Sequence, residues 1–326
     1  NRIQPPSLPN GLIPVDIDVT PMDNSKSKKE GVSRTYKGFD GYAPMMAYIG
    51  TEGYAINFEL REGKQHCQNG TVEFLQETVE LCRRLTDKPL LVRLDSGNDS
   101  IDNVAVLIDA GCFFIIKRNL RRESRDGWFE MAKQYCQDIS SPRDGKTVYI
   151  GSDWKTASSK RFDRDFTLRA GYEITERTID KYGQFNLVPE VEVETWWTNL
   201  GDPDREIIKL YHAHGECEQF HSEVKTDMDL ERLPSGKFAT NALILELGMI
   251  AYNILRMIGR QTTGGRTPRQ KRGVRRRRLR TVIGNLIMMA SHITTHARQL
   301  IMGQGRSNTW RHTFADICQK YAVATI

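Results

Sequence analysis

Between Leu12 and Thr20 the chain reads Leu-Ile-Pro-Val-Asp-Ile-Asp-Val-Thr, with Asp16 and Asp18 alternating with apolar residues. A period of two belongs to a strand, and it sends both carboxylates to one face and the apolar side chains to the other. Two further strand candidates follow, Tyr42–Ile49 and Tyr54–Leu60, joined by the turn signal Gly50-Thr-Glu-Gly53, so the chain opens as an antiparallel meander. Apolar residues then recur at helical spacing over Thr71–Leu85. A buried-type strand, Pro89–Leu94, ends on Asp95, and a helix-sized run (Ile101–Ala110) leads to the strand Cys112–Ile116. The order βββαβαβ predicts an α/β layer in which the first and fourth strands lie side by side at the centre.

From about Leu120 to Glu194 charge mixes with short β-favouring stretches (Thr147–Ile150, Asp165–Leu168, Tyr172–Thr178) and no long helical period is visible, which reads as a β-rich insertion. Val191–Leu200, with Trp196 and Trp197, returns as a strand, and both tryptophans are expected in core and edge packing, with base stacking as the alternative. Pro203 opens a helix running to about Thr226. Phe238–Ile258 is apolar on nearly every side; with Asn241, Glu246 and Asn253 inside it, a buried helix is expected and not a membrane span. A last helix is expected near Thr281–Ile301. The expected division is 1–119 and 195–260 for two parts of one core, 120–194 for the insertion, and 261–326 for a basic arm and helix.

The six cysteines form no CxxC pair and read as reduced packing residues; with no apolar leader, the chain reads as soluble and intracellular. Its net charge of +6 is unevenly spread, because Gln261–Ala315 holds twelve Lys or Arg and no acid. The body is therefore acidic and the arm basic. Arg266–Arg280 carries nine basic residues in fifteen. Arg275, Arg276, Arg277 and Arg278 have no acid nearby in sequence, and unpaired Arg clusters favour phosphate, so sequence-independent nucleic-acid contact is expected.

The predicted sheet brings Asp18 on the first strand and Asp95 at the end of the fourth into one crevice. On the helix after Pro203, at ~100° per residue, Tyr211, His214, Glu218 and Lys225 fall within about 60° of one another, opposite an apolar face. Converging carboxylates suit Mg²⁺, an oxygen-preferring ion. Two such ions about 3.5–4 Å apart activate a water or hydroxyl on one side of a phosphorus and stabilise the leaving oxygen on the other.

Tyr211-(2)-His214-(3)-Glu218-(6)-Lys225 resembles the Y-(2)-R-(3)-E-(6)-K signature of DDE transposases of bacterial insertion sequences. Asp16–Thr20, Ser27–Gly38, Arg61–His66 and Leu94–Gly97 resemble, in order, the group-one DDE transposase domain, over roughly Ile13 to Ile258. The resemblance implies an RNase H-like core, a mixed five-stranded sheet with flanking helices, interrupted by a β-rich insertion before the helix that carries the Glu. It implies Asp18, Asp95 and Glu218 as the catalytic ligands of two Mg²⁺ ions, with Mn²⁺ as a substitute. Tyr211 and Lys225 would hold the DNA backbone. It further implies transposon-end and target DNA as partners, a homodimer on DNA, and a bacterial cytoplasmic setting on the nucleoid. His214 departs from the family's Arg, which removes a bidentate phosphate grip and predicts that His214→Arg strengthens end binding.

Three rivals stand beside Asp18: Asp16 on the same strand face, and the loop acids Asp23 and Asp99. His214, Glu218 and His221 could also seat zinc by spacing, although no further ligand is placed beside them, and His221 reads as a surface or groove residue. Family members carry an upstream DNA-recognition domain, and the chain opens at Asn1. It therefore reads as a fragment or shortened product, with a silent DNA-binding relic, or a nuclease without strand transfer, as alternatives to an active transposase.

Overall fold

A computed structural model of the chain describes residues 4–180, 182–263, 276–305 and 307–323. At its centre lies β1 (Ile13–Val19), with Val15 and Ile17 fully buried. The segment after it forms a small sheet of β2 (Met22–Asp23), β3 (Ser33–Arg34) and β4 (Asp40–Tyr42), in the order β2-β4-β3. Pro44 has no N–H to give to a ladder, so the single strand expected over Tyr42–Ile49 is divided between β4 and β5 (Met45–Ile49). There follow β6 (Tyr54–Glu59), α1 (Thr71–Leu85), β7 (Leu90–Leu94), α2 (Ile101–Asp109) and β8 (Phe113–Arg118). Helix α1 lays Val72, Leu75, Val79 and Cys82 against the core. The strands run β6-β5-β1-β7-β8, with β1 antiparallel to β5 and parallel to β7. This is the five-stranded mixed sheet expected, with the first strand beside the one that ends at Asp95.

The insertion continues the same sheet. After α3 (Arg125–Tyr135) come β9 (Asp138–Arg143), β10 (Lys146–Ser159), β11 (Arg164–Ile179) and β12 (Phe185–Thr198), and β12 pairs antiparallel with β8 to give nine strands. Helix α3 was not legible as a period: only Trp128, Phe129 and Ala132 are buried, and the rest of the helix is largely polar. The Ser124 hydroxyl caps it, accepting the Gly127 N–H at 3.3 Å. Asp165–Leu168 and Tyr172–Thr178 are one strand, not two.

Past Pro203 the helical path is broken in phase. It consists of α4 (Asp204–His212), a 3-10 turn (Ala213–Gly215), α5 (Glu216–Ser222) and a π-helical turn (Glu223–Asp227). Then comes α6 (Phe238–Gln261), which is long and apolar enough to cross a membrane by length and composition alone. It is not buried on all sides as expected: Asn241, Leu245, Gly248, Tyr252 and Arg256 face inward, while Leu243, Leu247, Ile250 and Ile254 are about half exposed. Its Asn253 amide accepts the Ala55 N–H and donates to the Ala55 carbonyl, both at 2.8 Å, standing in for a further strand at the β6 edge.

The last expected helix is also corrected. Helix α7 (Leu279–Val282) and a π-helical turn end at Ile287, after which β13 (Ser291–His296) and β14 (Gln299–Gln304) make a hairpin, followed by α8 (Arg311–Val323). The two hairpin loop residues, Ala297 and Arg298, hold φ of 49° and 64°. Such a turn ordinarily announces itself with Asn-Gly, and here it does not.

Gly53, between β5 and β6, has φ of 65°, and a Cβ there would fall 2.4 Å from the Phe220 ring on α5. Strain and overpacking together set the cost of Gly53→Ala at about 2–3 kcal/mol. Urea unfolding measures it; an unchanged midpoint would mean that Phe220 yields freely.

Candidate active site

The parallel register pairs Ile17 with Leu94, so Asp18 and Asp95 are the next residues at the carboxyl ends of two adjacent strands. Asp18 Oδ1 accepts the Val19 N–H at 2.7 Å. Asp95 Oδ1 accepts from the Asn98 amide at 2.7 Å. Gly97 gives this loop its closeness, since a Cβ there would stand 3.2 Å from both Asp95 Oδ1 and Cys67 Sγ. Burial, and then the negative charge of Asp95, push the Asp18 carboxyl up to about 7, against the pull of His214, the Val19 N–H and Lys37. Asp18 also lines a cavity of about 420 Å³ with Glu218, His221, Lys225, Tyr36 and Lys37. Glu218 is exposed on α5. Asp18 thus lies beside Asp95 across the parallel strand pair and shares its cavity with Glu218, while among the described residues the donor atoms of these three acids do not all fall within 4.8 Å of one another.

Asp16 is already satisfied. Arg93, its direct neighbour across the parallel ladder, grips it with Nε on Oδ1 at 2.6 Å and Nη2 on Oδ2 at 2.7 Å, and His214 Nδ1 lies 2.9 Å from Oδ1. Burial opposes its charge, yet Arg93 and His214 outweigh it and hold the carboxyl below its ordinary value. Asp23 is exposed and caps its own turn through Ser25. Asp99 is buried under Trp197 Nε1 (3.1 Å), the Asn119 N–H (2.9 Å) and Arg121, so it ties the loop after Asp95 to the insertion. Trp196 and Trp197 are themselves buried, in line with a packing role.

His214 corrects the expectation drawn from its place in the signature. The 3-10 turn winds by ~120° per residue where an α-helix winds by ~100°, so the side chains of this stretch do not share one face. His214 turns inward to Asp16 and is only 8% exposed. It is not placed to grip phosphate, and the gain expected from His214→Arg does not follow, because a second guanidinium would crowd Arg93. Tyr211 is half-buried against Trp196 and His214, and burial followed by the charges of Asp95, Glu194 and Asp18 raises its phenol. Lys225 donates to the Pro21 carbonyl at 2.9 Å and lies 3.6 Å from Glu231.

Sequence reasoning placed His221 in a groove or on the surface; it is buried in the cavity wall. Its Nε2 stands 3.2 Å from Cys217 Sγ and 3.7 Å from Asp18 Oδ2, with Nδ1 3.4 Å from the Tyr48 hydroxyl. Burial, then the charges of His214 and Lys225, lower its pKa to about 3, so it is a neutral imidazole. The signal was available, since His221 lies three residues beyond Glu218 on the same helix. The zinc arrangement of His214, Glu218 and His221 does not form: His214 faces Asp16. Among the described residues Glu173, Glu194 and His212 do converge, with donor atoms within 4.8 Å of one another, but Glu194 is already paired with Lys117.

The arginine run is paired, contrary to expectation. Arg276 places Nη1 and Nη2 on Glu223 at 2.9 and 2.5 Å, Arg278 Nε donates to Asp227 at 2.9 Å, and Arg277 reaches Thr262 and stacks over Trp310. Glu223 and Asp227 sit on the π-helical turn beyond α5, some fifty residues away in sequence, which is why no pairing was visible. Arg275 lies outside the described residues.

No curated protein matches the chain. Among solved structures it is similar to a piggyBac transposase synaptic complex with hairpin DNA, determined by cryo-EM. The identity is 11% and the TM-score 0.37, over 77% of this chain and 47% of that one, so the chain spans about half the length of that relative. The family model for the transposase DDE domain, group 1, matches residues 6–324, and the chain belongs to that family.

Proposed function

We propose that the chain is the catalytic core of a transposase that cuts DNA at transposon ends and joins the freed 3′-hydroxyl to target DNA, with Asp18, Asp95 and Glu218 as its metal ligands. The observation that carries this reading is the placement of Asp18 and Asp95 at the carboxyl ends of adjacent parallel strands, near enough that the charge of Asp95 adds to burial in raising the Asp18 carboxyl. The donor set is all oxygen and fits Mg²⁺, with Mn²⁺ as a substitute. Two Mg²⁺ ions, when bound, would supply an activated water or hydroxyl and stabilise the leaving oxygen.

The protein's own groups do the positioning. The Val19 N–H and Asn98 amide fix one oxygen each on Asp18 and Asp95, and neutral His221 adds no competing charge beside Asp18. Lys225 lines the cavity with Asp18 and Glu218 and, with Tyr211, would hold the backbone of the DNA end. Exposed Arg278 would add sequence-independent contact alongside its pairing with Asp227. Two copies of the chain would bring two ends together, in the bacterial cytoplasm.

The test is a strand-transfer assay with an end-containing duplex and Mg²⁺. Cleavage and joining are expected, both abolished by EDTA and by Asp95→Ala or Glu218→Ala without loss of fold. Cleavage without joining would make the chain a nuclease. Binding without cleavage would make it a silent DNA-binding relic.

A further inference from the structure

The cavity that holds Asp18 and Glu218 has a second wall, in the stretch between β1 and β5, that the signature residues do not account for. Tyr36 and Lys37 occupy the two central positions of a tight turn. The Gly38 N–H donates to the Thr35 carbonyl at 3.0 Å, and Thr35 is tied by both its N–H and its hydroxyl to the Phe39 carbonyl at 2.8 Å. Gly38 closes the turn with φ of 82°. Thr35 is buried, so the turn is anchored while its tip is presented to solvent.

Tyr36 is 68% exposed, yet its hydroxyl reaches the Val19 carbonyl at 3.3 Å, immediately after Asp18. Its ring therefore lies over the end of β1. Lys37 is exposed and, among the described residues, makes no ion pair with a carboxylate. Lys225, across the cavity, is by contrast tied to Pro21 and Glu231. A rigid turn thus presents one uncommitted ammonium and one broad aromatic face at the mouth of a carboxylate pocket. A lone ammonium suits a phosphate oxygen, and an exposed aromatic ring suits a nucleobase, whatever its identity.

We propose that Tyr36 and Lys37 form a nucleotide-binding subsite facing the catalytic helix, Lys37 taking a phosphate beside the bond that is cut and Tyr36 stacking on the adjoining base. This rests on the DNA-cutting function proposed above. The subsite is sequence-tolerant, since stacking and a phosphate contact carry no base code, and it acts on the end of the DNA that enters the cavity.

The experiment uses the full chain with an end-containing duplex that carries 2-aminopurine at the terminal and flanking positions, in Ca²⁺ to withhold cleavage. Binding of the wild type is expected to change 2-aminopurine emission at one position through stacking. Tyr36→Ala abolishes that change and weakens binding about tenfold, and Tyr36→Phe restores both. Lys37→Ala weakens binding alike for all sequences and reduces the slope of log affinity against log salt by about one. Melting temperatures within a degree of the wild type would show that neither variant acts through the fold. Wild-type emission and salt slope in both variants, with a wild type that cleaves the duplex in Mg²⁺, would overturn the subsite and leave the proposed function standing. A wild type inert in Mg²⁺ would remove the proposed function, and the subsite with it.

Discussion

On the proposed function, Asp18→Asn is expected to remove Mg²⁺-dependent cleavage and, in the same protein without metal, to raise stability at neutral pH. The first effect follows from losing a ligand charge: metal stabilisation of a phosphoryl transition state is worth several kcal/mol, or about a thousandfold in rate. The second follows from the direction of the Asp18 shift. Burial and Asp95 raise its carboxyl to about 7 from the ordinary 3.8, so between those values the folded chain holds a proton that the unfolded chain has released. Its contribution is therefore fully present below about pH 4 and is lost as pH climbs through 7. At ~1.4 kcal/mol per unit the ceiling is about 4 kcal/mol, and because the side chain is 26% exposed, water screening brings the expected gain nearer 2 kcal/mol.

Thermal melts from pH 4.5 to 8.5, with and without Mg²⁺, check both halves. The metal-free wild type is expected to lose stability toward pH 7 and to regain it with Mg²⁺, as anything that binds only the folded state must stabilise it. The Asn variant is expected to show a flatter profile and little response to the ion. A variant that cleaves like the wild type, or whose melts respond to Mg²⁺ as strongly, would remove Asp18 from the metal site.

The order of the main strands and helices in the core was legible where an element carries its own pattern: a period of two for β1, 3.6 for α1 with Val72, Leu75, Val79 and Cys82 inward, and a mostly apolar run for β7. The meeting of Asp18 with Asp95 was legible for the same reason, since parallel neighbours that end together place their next residues together. Three things were not. The 3-10 turn at Ala213–Gly215 shifts the helical phase, so spacing arithmetic that unites His214 with Glu218 on one face fails at that turn. The partners of Arg276 and Arg278 are acids on a distant turn, and charge counted along the sequence does not see them. The β13–β14 hairpin turns on Ala297 and Arg298, residues with no turn signature.

Arg93→Met is expected to cost about 3–5 kcal/mol, the range for stranding one partner of a buried ion pair. Both side chains are nearly sealed, at 4% exposure each, and the guanidinium has a third duty: Nη1 donates to the Leu210 carbonyl at 2.6 Å, at the end of α4. Because His214, in the turn that leads into α5, leans on the same Asp16, this one network fixes the helix bearing Glu218 against the strand bearing Asp18. The pH sign is opposite to that of Asp18: the carboxyl of Asp16 is held below its ordinary value, so its stabilisation is present above about pH 4 and is lost only as acid drives the pH through that lowered value. Asp16→Leu with Arg93→Met should recover much of the loss, since two apolar groups leave no charge stranded. The double variant should still cleave poorly, because the helix has lost its tether while the acids themselves remain. Denaturant titration of the two single variants and the double variant measures the coupling. A cost below about 1 kcal/mol for Arg93→Met, or additive losses in the double variant, would mean that the network does not hold the helix.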